Sequence, residues 1–157
     1  MNRVSTPPNT FRRGVAACAA LICLAAVPAG SDEPLGRITL VATDVPSEAG
    51  QVLVSLHDSA ADYASEVSAF RIARVPIVAG QAVVAFDALP HGDYAIKIFH
   101  DANGNEKLDT NFMGVPTEAY GFSNDARGRF GPPSFEAARF RLEAAELELA
   151  VRLQRIF

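Results

Sequence analysis

Beyond Cys23 this 157-residue chain has no cysteine. Both of its cysteines, Cys18 and Cys23, fall inside an N-terminal stretch that reads as a removable signal peptide. The domain that follows therefore has no disulfide staples and no thiol for catalysis. It must hold together through its core, through a bound ion, or through both. A membrane-spanning run is also missing: the uncharged segment Val15 to Val27 falls short of the roughly 20 residues a span needs. Basic residues are in deficit, 14 Lys and Arg against 18 Asp and Glu for a net charge of −4, and loss of Arg3, Arg12 and Arg13 with the leader makes it −7. Without clustered Lys and Arg the chain lacks the electrostatic footprint of a nucleic-acid binder. There are no internal repeats and no low-complexity tail.

The leader itself has basic residues, an apolar stretch and then Pro28-Ala29-Gly30-Ser31, with Val27 and Ala29 small enough to place cleavage after Ala29. Arg12-Arg13 lacks the preceding Ser or Thr of a twin-arginine signal, and too little apolar chain precedes Cys18 for a lipoprotein box. General secretion to the periplasm or the exterior is expected. Residues 30–157 suit one domain, with no stable membrane insertion after processing.

From Leu35 onward short alternating segments recur between turn residues. Ile38, Leu40 and Ala42 alternate with polar neighbours, as do Val52, Val54 and Leu56, and later Tyr94, Ile96 and Ile98. Ser59 to Ser68 is Ala-rich with Tyr63 and Val67 four apart, which predicts one short helix. Phe70 to Val78 and Gln81 to Leu89 are two β-rich runs joined at Ala79-Gly80 as a tight hairpin. Ala138 to Leu142 and the strictly alternating Leu147 to Leu153 predict a terminal hairpin. The fold class is all-β: an antiparallel β-sandwich of about seven strands, transthyretin- or Ig-like, with one short helix and a long ordered loop over residues 101–135.

That loop is the densest in chemistry. Asp101, Asn103, Asn105 and Asp109 fall at the first, third, fifth and ninth positions of a calcium loop, with Lys107 offering a backbone carbonyl. A structural calcium ion is the cofactor these oxygens suggest. The pattern departs from the EF-hand, because Glu106 stands where glycine belongs and Phe112 where a bidentate Glu belongs. Without a metal, the same Asp and Asn residues make Asx turns on their own backbone.

Farther on come Gly114-Val115-Pro116, Tyr120-Gly121-Phe122-Ser123 and the segment Phe130 to Phe135. With Leu89-Pro90-His91-Gly92-Asp93-Tyr94-Ala95 and the Asp/Asn run, these motifs resemble a bacterial family known as domain of unknown function 2141. The resemblance implies an exported transthyretin-like sandwich and brings no established activity. The rings have two readings: Tyr120, Phe122 and Phe130, with Glu118 beside them, form a platform for a glycan, a peptide or an envelope protein, or the rings turn inward as the loop's own small core.

Catalytic constellations are weak. His57-Asp58 and His100-Asp101 are adjacent on strands, so the members of each pair point to opposite faces. Ser123 and Ser134 lack a nucleophile-elbow setting. A non-enzymatic domain is expected, with a hydrolase built from Glu118, Asp101 and His100 as the alternative.

Overall fold

Alternation along the strands is realised as a sandwich. The computed structural model describes residues 33–65, 68–129 and 131–156. The expected signal peptide, with its predicted cleavage after Ala29, lies outside the described residues, as does Phe130. The elements are β1 (Leu35–Thr43), β2 (Gln51–His57), α1 (Ala60–Ala64), β3 (Arg71–Val75), β4 (Ala82–Pro90), β5 (Gly92–Asp101), β6 (Tyr120–Phe122), α2 (Phe135–Ala138), β7 (Phe140–Leu142) and β8 (Glu146–Arg152). One sheet has the order β4-β1-β8, the other β3-β2-β5-β6, with β7 paired to the opening of β5. Ile38 and Leu40 from β1, Val54 and Leu56 from β2, Ile96 and Ile98 from β5, and Val151 from β8 are all buried in one core. No helix among the described residues is long and apolar enough to cross a membrane.

The all-β class holds, and the pairing of strands departs from expectation in two places. The terminal hairpin does not form. β7 pairs antiparallel with β5, and β8 instead runs parallel to β1 from Arg37↔Glu146 to Thr43↔Arg152. Strict alternation identifies a strand and one buried face; it carries no information about the neighbour. The Ala79-Gly80 turn closes tightly, through Val78 N to Gln81 O at 2.8 Å and the reciprocal bond at 3.1 Å. Its arms then part, because β3 ends at Val75 before Pro76 and belongs to one sheet while β4 belongs to the other.

The short helix forms over Ala60–Ala64, with Ser59 capping the Asp62 amide at 3.2 Å. A second one-turn helix, α2, occupies ground read as loop. Its N-cap Ser134 accepts from the Ala137 amide at 3.3 Å, directly after Pro132-Pro133.

Candidate functional site

On β2 the residues facing the core are Val52, Val54 and Leu56, so Leu53, Ser55 and His57 face outward. Yet Leu53 and His57 are buried. Something covers this outer face.

The strand register shows what lies there. Across β3, β2, β5 and β6, one row of neighbours is Ile72, Ser55, Lys97 and Phe122. The next row is Arg74, Leu53, Phe99 and Tyr120. Apart from Arg74, these rows floor a groove of about 560 Å³, walled on one side by Glu106, Lys107, Leu108 and Thr110 and on another by Ser65, Ser68 and Pro132. That volume is in the range of small-molecule and peptide pockets.

The first wall is the Asp/Asn run. Asp101 has no exposure, and its carboxylate gathers the loop around it: Oδ1 accepts from Gly104 N at 2.9 Å and Asn105 N at 3.0 Å. Oδ2 accepts from Glu106 N at 3.1 Å and Gln51 Nε2 at 3.0 Å. Burial alone would raise this carboxyl; the bonds from Gln51 and the three amides outweigh it and hold the group below its ordinary value. Gly50 must be glycine here, since its φ is +73° and a Cβ would stand 2.0 Å from Asp101 O. Glu118 ties the loop from beneath, accepting from Ala102 N and Asp109 N, both at 3.0 Å.

Thus turned, the loop lifts Glu106, at φ +61°, across the sheet to a bidentate pair with Arg74 at 2.6 Å for both bonds.

The calcium donor set is together in space, but its side chains face one another. Asn103 and Asn105 present their Nδ2 groups to Asp109, at 2.7 and 2.9 Å. Their oxygens accept from Asn105 N at 3.0 Å and Lys107 N at 2.8 Å as Asx turns. A cation would have to displace the two amides from Asp109, so the donors as arranged do not fit a bound ion. No group of three or more His, Cys, Asp and Glu among the described residues is arranged to hold a metal.

The second wall is backed by an apolar cluster. Tyr63, Ala95, Phe122, Ala126, Phe135 and Ala138 form a satellite core with Tyr120 against it. Tyr120 is half-buried and Phe122 buried, so the two rings turn inward at their bodies while both still line the groove. Ser123, also buried, locks the wall to the sheet, accepting from Ile96 N at 2.9 Å and donating to Ala138 O.

The hydrolase trio does not come together as a unit. His100 bonds Ala49 O through Nε2 at 2.7 Å, while Asp101 and Glu118 are spent on the loop's amides, and none of the three lines the groove.

Instead His57, discounted beside Asp58, meets Asp62 five residues on. Its Nδ1 lies 3.1 Å from Asp62 Oδ2 and its Nε2 3.0 Å from Ser55 Oγ. A readable signal was present: Ser59-Ala60-Ala61-Asp62 is a capping-box pattern, which puts a carboxylate at the start of the helix that follows the strand. Burial first, then the Lys97 charge, lowers the His57 pKa against the opposing pull of Asp62.

Among known families, the one described as "Uncharacterized protein conserved in bacteria (DUF2141)" matches residues 41–150. No curated protein matches, and no solved structure matches.

Proposed function

We propose a function for this chain from its groove, because the chain belongs to the DUF2141 family of bacterial proteins and that membership assigns it no chemistry. The reading is an exported binding domain that holds a short, carboxylate-bearing peptide with apolar side chains on the outer face of the β3-β2-β5-β6 sheet. The observation that carries it is the groove itself, about 560 Å³ with Leu53, Phe99, Leu108 and Phe122 against Ser55, Thr110 and Tyr120. Both lysines of an acidic chain, Lys97 and Lys107, line it, while the one carboxylate among the described lining residues, Glu106, is paired with Arg74. A glycan platform would want its rings open for stacking, and Phe122 is buried. Export rests on the leader, and N-terminal sequencing of protein from the periplasmic fraction should begin at Gly30; a start at Met1 would end it.

Anilinonaphthalene sulfonate, apolar with one anionic group, is a direct probe of the groove. It should bind the folded protein at one site, be displaced by acidic-apolar peptides, and be lost in Leu108→Asp. The exposed tip Phe112-Met113 is the control, since Phe112 is 97 % exposed and lies outside the groove lining. Binding that survives Leu108→Asp and vanishes in Phe112→Ser would refute the groove.

A further inference from the structure

Beyond binding, the floor of the groove carries a proton relay. Ser55 Oγ, His57 Nε2, His57 Nδ1 and Asp62 Oδ2 lie in sequence at 3.0 and 3.1 Å, the order of groups that activates a serine hydroxyl. We propose that Ser55 is a nucleophile, His57 its general base and Asp62 the positioning residue, acting on an activated acyl ester held in the groove.

Four observations carry this. First, the tautomer is set. A carboxylate only accepts, so Asp62 takes the Nδ1 proton and leaves Nε2 as the acceptor facing Ser55. Second, Asp62 is itself fixed: Ser68 Oγ donates to Oδ1, the Phe70 amide donates to Oδ2 at 3.1 Å, and Ser59 caps its own amide. Third, the ring is held, with Tyr63 edge-on at 5.3 Å between centroids. Fourth, Ser55 and His57 both line the groove, so the hydroxyl faces solvent space. Ser55 Oγ also lies 3.3 Å from Lys97 O, a longer alternative for its proton.

Among the described residues, the titratable and charged groups facing His57 are Asp62 and Tyr63 from α1 and Lys97 from β5. Its lowered pKa keeps the imidazole neutral, as a base must be at neutral pH. Lys97, which also lines the groove, donates through Nζ to Tyr63 O, sits 4.2 Å from the Tyr63 ring centroid and puts positive charge near His57.

In the step, Ser55 Oγ bonds to the acyl carbon as its proton passes to His57 Nε2. The ester C–O bond then breaks, and the alcohol leaves with that proton. Water next adds to the acyl carbon, giving its proton to Nε2; the bond to Oγ breaks, Ser55 recovers the proton and the acid leaves.

The inference needs the groove to admit a small molecule; it does not need the peptide reading. A fluorophosphonate probe tests it on the mature protein, since Ser55 Oγ would displace fluoride from phosphorus and remain labelled. Intact-mass and peptide-mapping spectrometry should find one adduct, on Ser55, absent in Ser55→Ala. Folded His57→Gln should label roughly 10²-fold more slowly or worse. Asp62→Asn should also slow labelling and displace its pH profile, which loss of packing alone would not do. No adduct on the wild-type protein overturns the relay whatever the variants do, even if anilinonaphthalene sulfonate still fills the groove. An adduct at another serine, or on Ser55 at an unchanged rate in folded His57→Gln, overturns it as well.

Discussion

The two walls of the groove do the same task with opposite materials. Residues 101–118 are ordered by hydrogen bonds that radiate from Asp101 and Glu118, two buried carboxylates. The wall built from α1 and residues 122–138 is ordered chiefly by rings, Tyr63 against Phe135 at 5.8 Å and Tyr120 against Phe122 at 5.8 Å, with Ser123 and Asp62 as polar anchors. Non-strand chain laid over a sheet must satisfy its backbone and find something to pack on. The polar wall spends its side chains on the first need. The apolar wall spends them on the second. Each should therefore fail to a different insult.

The largest effect is expected in the apolar wall. Phe135→Ala removes a buried ring from a small core that has little else to close the gap, for a loss of about 3 to 4 kcal/mol in urea unfolding. Asp101→Ala should cost less, about 2 to 3 kcal/mol, because the freed amides of Gly104, Asn105 and Glu106 lie in exposed chain that water can reach. Its signature is local: hydrogen exchange should quicken across residues 103–109 and leave β2 and β5 protected. If Asp101→Ala proves the more costly, or opens the strands as well, the polar wall is part of the folding unit and the division drawn here is wrong.

Acid should separate the walls more gently. His57 folds with its pKa below 6.5, so the unfolded chain takes up this proton first. Stability tied to His57 is whole above pH 6.5 and is lost as pH falls from there towards its folded pKa. Asp101 and Asp62 behave as depressed carboxyls: burial raises both, their hydrogen bonds more than reverse it, and their contribution survives until pH falls through and below 3.8. A pH titration by NMR should thus move the Tyr63 and Phe135 signals first and the residue 103–109 amides only in stronger acid. His57→Gln should abolish the early phase alone.

The inner face was legible because a core-facing strand alternates, and Ile38, Leu40, Ile96 and Ile98 are buried as their periodicity requires. The outer face of β2 was not, since its cover comes from outside the strand: His57 is packed by Tyr63 of α1, and Leu53 lies in the groove beside Phe99. The donors of the Asp/Asn run were correctly grouped, while their direction, onto amides, is settled by backbone turns at Gly104 and Glu106 that spacing does not encode. His57 and Asp62 were missed because adjacent residues were compared, whereas a strand running into a helix brings a residue five positions on back to its end.

A smaller effect, of opposite sign, should come from Tyr63. Its hydroxyl is buried with no hydrogen-bond partner among the described residues, and burial pushes its pKa up to about 12. Tyr63→Phe removes an unsatisfied polar atom and keeps the ring against His57 and Phe135. It should stabilise by about 1 kcal/mol, read as a raised urea midpoint with an unchanged m-value. A loss would mean that the hydroxyl holds a water, and the apolar wall would then contain a further polar anchor.

The smallest expected effect is calcium on the polar wall. At tenfold excess over a dissociation constant, an ion selective for the folded state adds about 1.4 kcal/mol, several degrees of melting temperature for a domain of this size. The expected result is no shift at several millimolar calcium, the concentration at which weak extracellular sites fill. The reason is local: each Asn oxygen already accepts a backbone amide, and each Asn Nδ2 already meets the charge of Asp109. An ion would break those four bonds before it gained its own. A rise that Asp109→Ala abolishes would show that the exchange is favourable, and the amides of Asn103 and Asn105 would then be placeholders for the cation.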